Sequence, residues 1–215
     1  MAGDVTGTVA SLPAVPTALW GGLPLTLILS TVGFGLAFPL ALLLALGRQS
    51  EFAPLRGLCI AYIELLRALP LVTVLFLAAF VLPLWLPGEG LDLFTRVLLT
   101  IALFSAAYLA EVLRGGLQGV PEGQRLAAMA LGLNTVQTNL QVVLPQAIRA
   151  CLPSLTNSFV TLFKDCSLVT VVALFELTGA LSLALAGDVQ WRSFYLEGYL
   201  FIGLVYWAYC FGLSK

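Results

Sequence analysis

The chain has 215 residues, of which 60% are hydrophobic and 10% charged, with a formal net charge of −1 and a mean hydropathy of +1.01. A soluble domain carries roughly 25% charged residues, so this chain cannot clothe a water-facing surface and lipid must be the solvent for much of it. It has no histidine, which removes the commonest general base and metal ligand, and neither Lys164 nor Lys215 follows a glycine-rich turn, so there is no P-loop.

No charge occurs between Asp4 and Arg48, and the run Leu23 to Leu46 exceeds the ~20 residues a spanning helix needs. It is too long, and lacks the basic start, for a cleaved signal peptide. Residues 1–19 read as a short extracytoplasmic segment and residues 20–215 as one transmembrane domain. Gly33, Gly35 and Pro39 in the first span suit close packing and a bend. A second span is expected from about Leu58 to Leu82, with Pro70 kinking it and freeing a carbonyl. The stretch PLWLPGEGLDLFTR reads as a loop with Trp85 as a headgroup-level anchor. A third span covers about Val97 to Leu113.

The segment 120–147 is too polar and broken to span, yet too regular for a slack loop. Pro121 suits a first helical position, Gly132 a left-handed cap, and Asn134 or Thr135 the cap of a second short helix that should stop before Pro145. Ala127, Ala128 and Ala130 would let another surface approach the backbone. An amphipathic hairpin resting on the bilayer is the other reading. Beyond it, Ala150 to Gly187 is expected to form one span with a broken or re-entrant continuation, and about Gly198 to Ser214 a last one. The fold class is therefore an all-α membrane protein with about five transmembrane helices. Splitting the Ala150 block would give a sixth.

Placing the N-terminus outside puts Arg48, Arg56, Arg114, Arg125, Arg149 and Lys215 on the cytoplasmic side and only Arg96 and Arg192 outside, as the positive-inside rule requires. The C-terminus and segment 120–147 are then cytoplasmic.

Charges at membrane depth need a partner or a task. Glu64 and Arg67 lie three residues apart, on one helix face, and can pair; alternatively Glu64 lines a pathway and meets a substrate ammonium. Lys164 and Asp165 lie ~22 Å of helix beyond Arg149, beside Cys166, Ser167 and Leu168, where the helix is expected to break. A break frees N–H groups for a carboxylate, and Asp165 can take an ammonium, while Lys164 can pair internally or snorkel. Glu176 suits an outer gate or an interface. Glu111 and Arg114 suit an anchor at the cytoplasmic end of the third span. Cys59, Cys151, Cys166 and Cys210 lie in apolar runs without C-x-x-C spacing and read as small buried hydrophobes.

The spacing Ala127-Ala128, three residues, Gly132, then "VVLP" resembles the EAA loop of bacterial ABC importer membrane subunits. The stretches AEVLRGGLQGVPEGQ, LPQAIRACLPSLTNSFVTLFKDCSL and YIELLRALPLVTVLF are similar to polar amino-acid permeases, above all the general L-amino-acid permease subunits. The resemblance extends from about Trp20 to the end. It implies the type I ABC importer permease fold in the bacterial inner membrane, with segment 120–147 as the loop that couples to the ATPase. It also implies two ATPase subunits carrying ATP and Mg, a second permease subunit and a periplasmic substrate-binding protein. No cofactor in this chain and no nucleic acid are expected. One position departs: Leu126 stands where the family usually has the glutamate of EAA, so a second, non-identical permease subunit is expected to supply that carboxylate. A secondary transporter or channel using Glu64, Lys164, Asp165 and Ser167 is the alternative, in which the loop would have no assigned task.

Overall fold

The computed structural model describes residues 20–85 and 90–215. The expected extracytoplasmic segment 1–19 lies outside the described residues. Among those residues the regular structure is helical, apart from one isolated bridge between Gly22 and Glu176. The helices are α1 (Gly22–Arg48), α2 (Ala53–Ala68), α3 (Leu71–Trp85), α4 (Leu93–Gln118), α5 (Glu122–Ala130), α6 (Thr135–Val172), α7 (Leu177–Gly187) and α8 (Trp191–Leu213). Four are long and apolar enough to cross a bilayer, and a fifth crossing arises if α2 and α3, bent by 102° at their junction, form one span.

Helix α1 begins at Gly22, whose φ of +66° falls in the left-handed region that glycine enters without a Cβ penalty. It runs uncharged to Arg48, which sits in the last turn, where the helix dipole favours a cation. Helix α2 starts with Pro54 in its first turn and ends at Ala68. Pro70 has no N–H for the Leu66 carbonyl and forces Leu69 into extended backbone, φ −98° and ψ 143°, so the kink anticipated at Pro70 becomes a full turn of the chain.

Helix α6 departs from expectation. No separate short helix stops before Pro145; one helix of 38 residues runs from Thr135 to Val172. Residues Thr138–Val143 take the wider π form directly ahead of Pro145, and α-helical winding resumes at Leu144. Widening the turn separates the proline ring from the carbonyl it would otherwise strike, so the proline is absorbed. At the far end the helix tightens to 3-10 over Cys166–Val172, where the break beside Cys166 was expected. The reversal itself comes at Ala173, a non-glycine residue at φ +64°. The re-entrant continuation is α7, an apolar helix of 11 residues, too short to cross.

Two apolar clusters fill the bundle. One, rich in alanine, joins Ala37, Ala41, Ala45, Ile63, Ala106, Ala110 and Ala147 toward the Arg48 end. The other, built from larger residues such as Leu25, Leu29, Leu75, Ile101, Phe104 and Val169, lies toward the Gly22 end. Small residues bring backbones together: a Cβ placed on Gly116 would lie 2.7 Å from the Ala147 carbonyl oxygen, and one on Gly33 would lie 3.0 Å from Ile101 Cγ2. Gly35, by contrast, faces open space. Outward-facing Leu43, Leu58, Leu84, Leu204 and Trp207 are exposed, as lipid-facing helices require. Cys59, Cys151 and Cys166 are buried and reduced, and Cys210 is half-buried.

The Gly22 end is tied by one side chain. Glu176 is fully buried and caps α7, accepting from the backbone N–H groups of Thr178 and Gly179 at 3.0 Å. It also accepts from the hydroxyls of Thr170 at 3.0 Å, Tyr206 at 3.1 Å and Thr26 at 3.4 Å. Thr26 in turn accepts from Leu177 N–H, and Gly22 N–H donates to the Phe175 carbonyl at 2.9 Å. The starts of α1 and α7, the end of α6 and the middle of α8 thus meet at one carboxyl group.

Two substitutions test this packing by thermal unfolding of the purified protein. Gly116→Val should destabilise by about 1–3 kcal/mol, the cost of overpacking against a backbone oxygen that cannot yield. Glu176→Leu, which leaves the Thr170 and Tyr206 hydroxyls and two helix N–H groups without their acceptor, should cost at least ~2 kcal/mol.

Candidate substrate cleft, charged rim and coupling segment

Where α2 turns at Leu69 and Pro70, the span leaves room beside α4 and α6. The resulting cleft, about 430 Å³, lies at the junction of the two apolar clusters, with Phe34, Phe104, Leu109 and Leu162 in its walls. Its polar lining comes from Ser105 and Tyr108 on α4 and from Asn157, Ser158, Thr161 and Asp165 on α6. Asn157, Thr161 and Asp165 are spaced four residues apart, which stacks them on one helix face. Ser158 donates to the Ser154 carbonyl at 2.9 Å and Thr161 to the Asn157 carbonyl at 3.0 Å. With their hydrogens committed to the backbone, both hydroxyls turn lone pairs toward the cleft. Asp165, half-buried, is the one formally charged residue among the described residues of the lining. A surface of carboxylate, amide and hydroxyl acceptors on an apolar wall suits a small cationic group such as an ammonium.

Of the residues singled out from the sequence, the structure brings Asp165 to this cleft. Lys164 is exposed and outside the lining, and Ser167 is half-buried and outside it. Glu64 lies elsewhere, and the expected Glu64–Arg67 pair is not formed. Glu64 is held by Arg48 of α1 at 3.1 Å, while Arg67 reaches Glu111 of α4 at 3.9 Å. Neighbouring helices offer these groups partners that a single helix face does not. Glu111 is the hub: Arg48 donates to its Oε1 at 2.6 Å, and Arg114 grips its Oε2 with two nitrogens at 3.0 and 2.8 Å. The Arg67 guanidinium lies 5.7 Å from the centre of the Tyr108 ring, a cleft-lining residue. Ser105, Tyr108, Asn157, Ser158 and Thr161 were missed from sequence, although the four-residue repeat of polar groups in an apolar run was a readable sign.

Segment 120–147 projects from the end of the bundle that carries Arg48. Helix α5 stops at Ala130, and Gly132 turns the chain at φ +87°. Asn134 caps α6 in a reciprocal capping box with Gln137, at 2.9 and 3.0 Å. Arg125 donates to Asn139 Oδ1 at 3.0 Å, fixing α5 against the first turns of α6. Ala128 is buried beneath α5, whereas Leu126, Ala127, Met129 and Leu131 are exposed, Leu131 to 85%. With Val136 and Leu140 they form an apolar crown that the other described residues do not cover.

Comparison with known proteins places this geometry. Residues 37–214 match the family of binding-protein-dependent transport system inner membrane components. The chain is 44% identical over 210 residues to the inner membrane amino-acid ABC transporter permease protein YhdY of Escherichia coli, covering 97% of this chain and 57% of that protein. It is 40% identical over 206 residues to the glutamate/glutamine/aspartate/asparagine transport system permease protein BztC of Rhodobacter capsulatus, covering 95% of this chain and 48% of that one. The chain thus spans about half the length of these two relatives. With the L-cystine transport system permease protein TcyB of Bacillus subtilis it shares 32% identity over 97% of this chain and 88% of the relative. Among solved structures, the crystal structure of an amino acid ABC transporter with histidines superposes with a TM-score of 0.79 at 32% identity, covering 93% of this chain and 90% of that one. The inward-facing MetNI methionine ABC transporter shares the fold, with a TM-score of 0.60 at 18% identity over 93% of this chain and 94% of that one. The chain is a member of the binding-protein-dependent transport system inner membrane component family.

Proposed function

We propose that this chain is a transmembrane permease subunit of an ATP-driven amino-acid importer of the bacterial inner membrane. The observation that carries this reading is the uncovered apolar crown of segment 120–147, pinned by Gly132 and the Asn134 box onto a helix that leads directly to Asp165. A chain without a P-loop needs another protein to hydrolyse ATP, and the crown is where two ATPase subunits, holding ATP and Mg, would dock. Amino-acid transport among the relatives supports the substrate class. The N-terminus faces outward and the C-terminus the cytoplasm, in keeping with the distribution of arginines. A soluble binding protein delivers the substrate on the outer side.

Docking at the crown rests on shape and apolar contact, because Leu126 supplies no carboxylate. The polar half of the contact belongs to a second, non-identical permease subunit. Closure of the ATPases moves segment 120–147, and α6 carries that movement to the cleft. There Asp165, Asn157, Ser158 and Thr161 receive the substrate ammonium.

Leu131 makes a direct test, because an 85% exposed side chain has little to lose within the chain. Leu131→Asp should lower substrate-stimulated ATP hydrolysis of the purified complex at least about fivefold, the scale of one interface anchor, with membrane insertion unchanged. Full hydrolysis in this variant, or failure of cross-links from Ala127 or Gly132 to capture a P-loop protein, would remove the reading. At the cleft, Asp165→Asn should reduce amino-acid uptake into proteoliposomes roughly tenfold or more, since one charge-assisted contact to the ammonium is lost. Unaltered uptake would dissociate Asp165 from the pathway.

A further inference from the structure

Lys164 stands at membrane depth without a counter-charge. It is exposed, and among the described residues it forms no ion pair. Its neighbour Asp165 does not answer it, because adjacent residues on a helix do not face each other and Asp165 turns to the cleft. The other carboxylates of the bundle are taken. Glu64 and Glu111 are held by arginines at the far end, and Glu176 is fully buried among two N–H groups and three hydroxyls. Arg149, on the cytoplasmic side, lies ~22 Å of helix from Lys164, and Val172 at the outer end of α6 lies about 12–16 Å away at 1.5–2.0 Å per residue. Helical side chains lean toward the N-terminus, so Lys164 leans away from the nearer surface and has no short route to water beyond the bilayer.

Lys164 also belongs to a stripe. Ser154, Asn157, Thr161, Lys164, Leu168 and Val171 follow one another at alternating intervals of three and four residues. That is the spacing of a narrow seam facing a single neighbouring helix. All but Leu168 are exposed, so no described helix covers the seam. Lipid is a poor cover for it, since a lysine and an asparagine facing hydrocarbon would be left without partners. What covers the seam must therefore bring polar groups of its own, and at Lys164 a negative charge.

We propose that this seam packs against the second permease subunit, and that Lys164 pairs there with a carboxylate of that subunit at the same depth in the bilayer. This rests on the reading of the chain as one of two permease subunits. Two related chains that cross the bilayer in the same sense are related by an axis along its normal, so equal depths meet. Attraction between the two charges is strong in low-dielectric surroundings. A subunit lacking the carboxylate would leave Lys164 buried and unpaired, so the same contact that joins the right partner rejects a wrong one.

The test uses the complex purified from its native membrane. A hydrophobic carbodiimide joins an amine to a carboxylate in direct contact as an amide, with loss of water. Mass spectrometry of the treated complex should find the Lys164 peptide linked to an aspartate or glutamate peptide of the second permease subunit. Lys164→Arg, which keeps the charge and forms no such amide, should lose the link and retain the second subunit. Lys164→Glu should lower the amount of second subunit recovered with this chain roughly tenfold, the scale of a broken buried pair after screening. The link in the unaltered complex decides the matter even if Lys164→Glu fails to insert. No link, a link confined to this chain, or full recovery of the second subunit with Lys164→Glu would each overturn the inference and leave the permease reading standing. A purified complex without a second permease subunit would overturn the reading on which it rests.

Discussion

The bundle depends on satisfying polar groups where no water can do it. Between α6 and α7 the chain leaves helical winding, passes through a left-handed alanine and begins again, which exposes backbone donors at membrane depth. In hydrocarbon each such group costs several kcal/mol unless it finds a partner inside the protein. Glu176 supplies partners for two N–H groups and three hydroxyls from four parts of the chain. Because Thr26 lies 150 residues away in sequence, this carboxyl also closes the bundle, fastening the first span to the last third of the chain. The orientation of α6, and with it the row Asn157, Thr161 and Asp165, follows from that fastening.

What could be read from the sequence divides along a physical line. Features set by one residue and its neighbours were legible: the long apolar runs, the left-handed turn at Gly132, the cap at Asn134 and the turn at Pro70. Features set by groups brought together from afar were not. Glu176 signalled an unexplained buried charge, but its donors lie on other helices. The Glu64–Arg67 pair was a sound expectation from helix spacing and yielded to Arg48 and Glu111, which only the fold brings near. Pro145 misled for a different reason: a proline ends an α-helix, but a local change of winding to the π form lets a longer helix pass through it. Most of the cleft was hidden because serine, threonine and asparagine in a spanning helix are ambiguous until the face they share is known to border a void.

Both charged regions obey one economy. Inserting an ionisable group into a bilayer is costly, on the order of 2.5–3.5 kcal/mol at helix centre, and such groups persist where they are neutralised or used. Arg48, Glu64, Glu111 and Arg114 neutralise one another at the end of the bundle. Asp165 borders the cleft, and Arg67, outside its lining, reaches Glu111 at 3.9 Å.

The passage of α6 through Pro145 has a mechanical consequence. Had the chain broken there, a push on Thr135 would have been lost in a flexible joint. Instead Thr135, just beyond the Gly132 turn, and Asp165, which borders the void, belong to a single helix, separated by ~45 Å at 1.5 Å per residue. Pivoting such a rod by about 5° sweeps its far end through about 4 Å over that length, more than the reach of a hydrogen bond. A small displacement at the Thr135 end of the helix is thereby enough to shift Asp165 relative to the rest of the cleft lining, with leverage alone as the transmission.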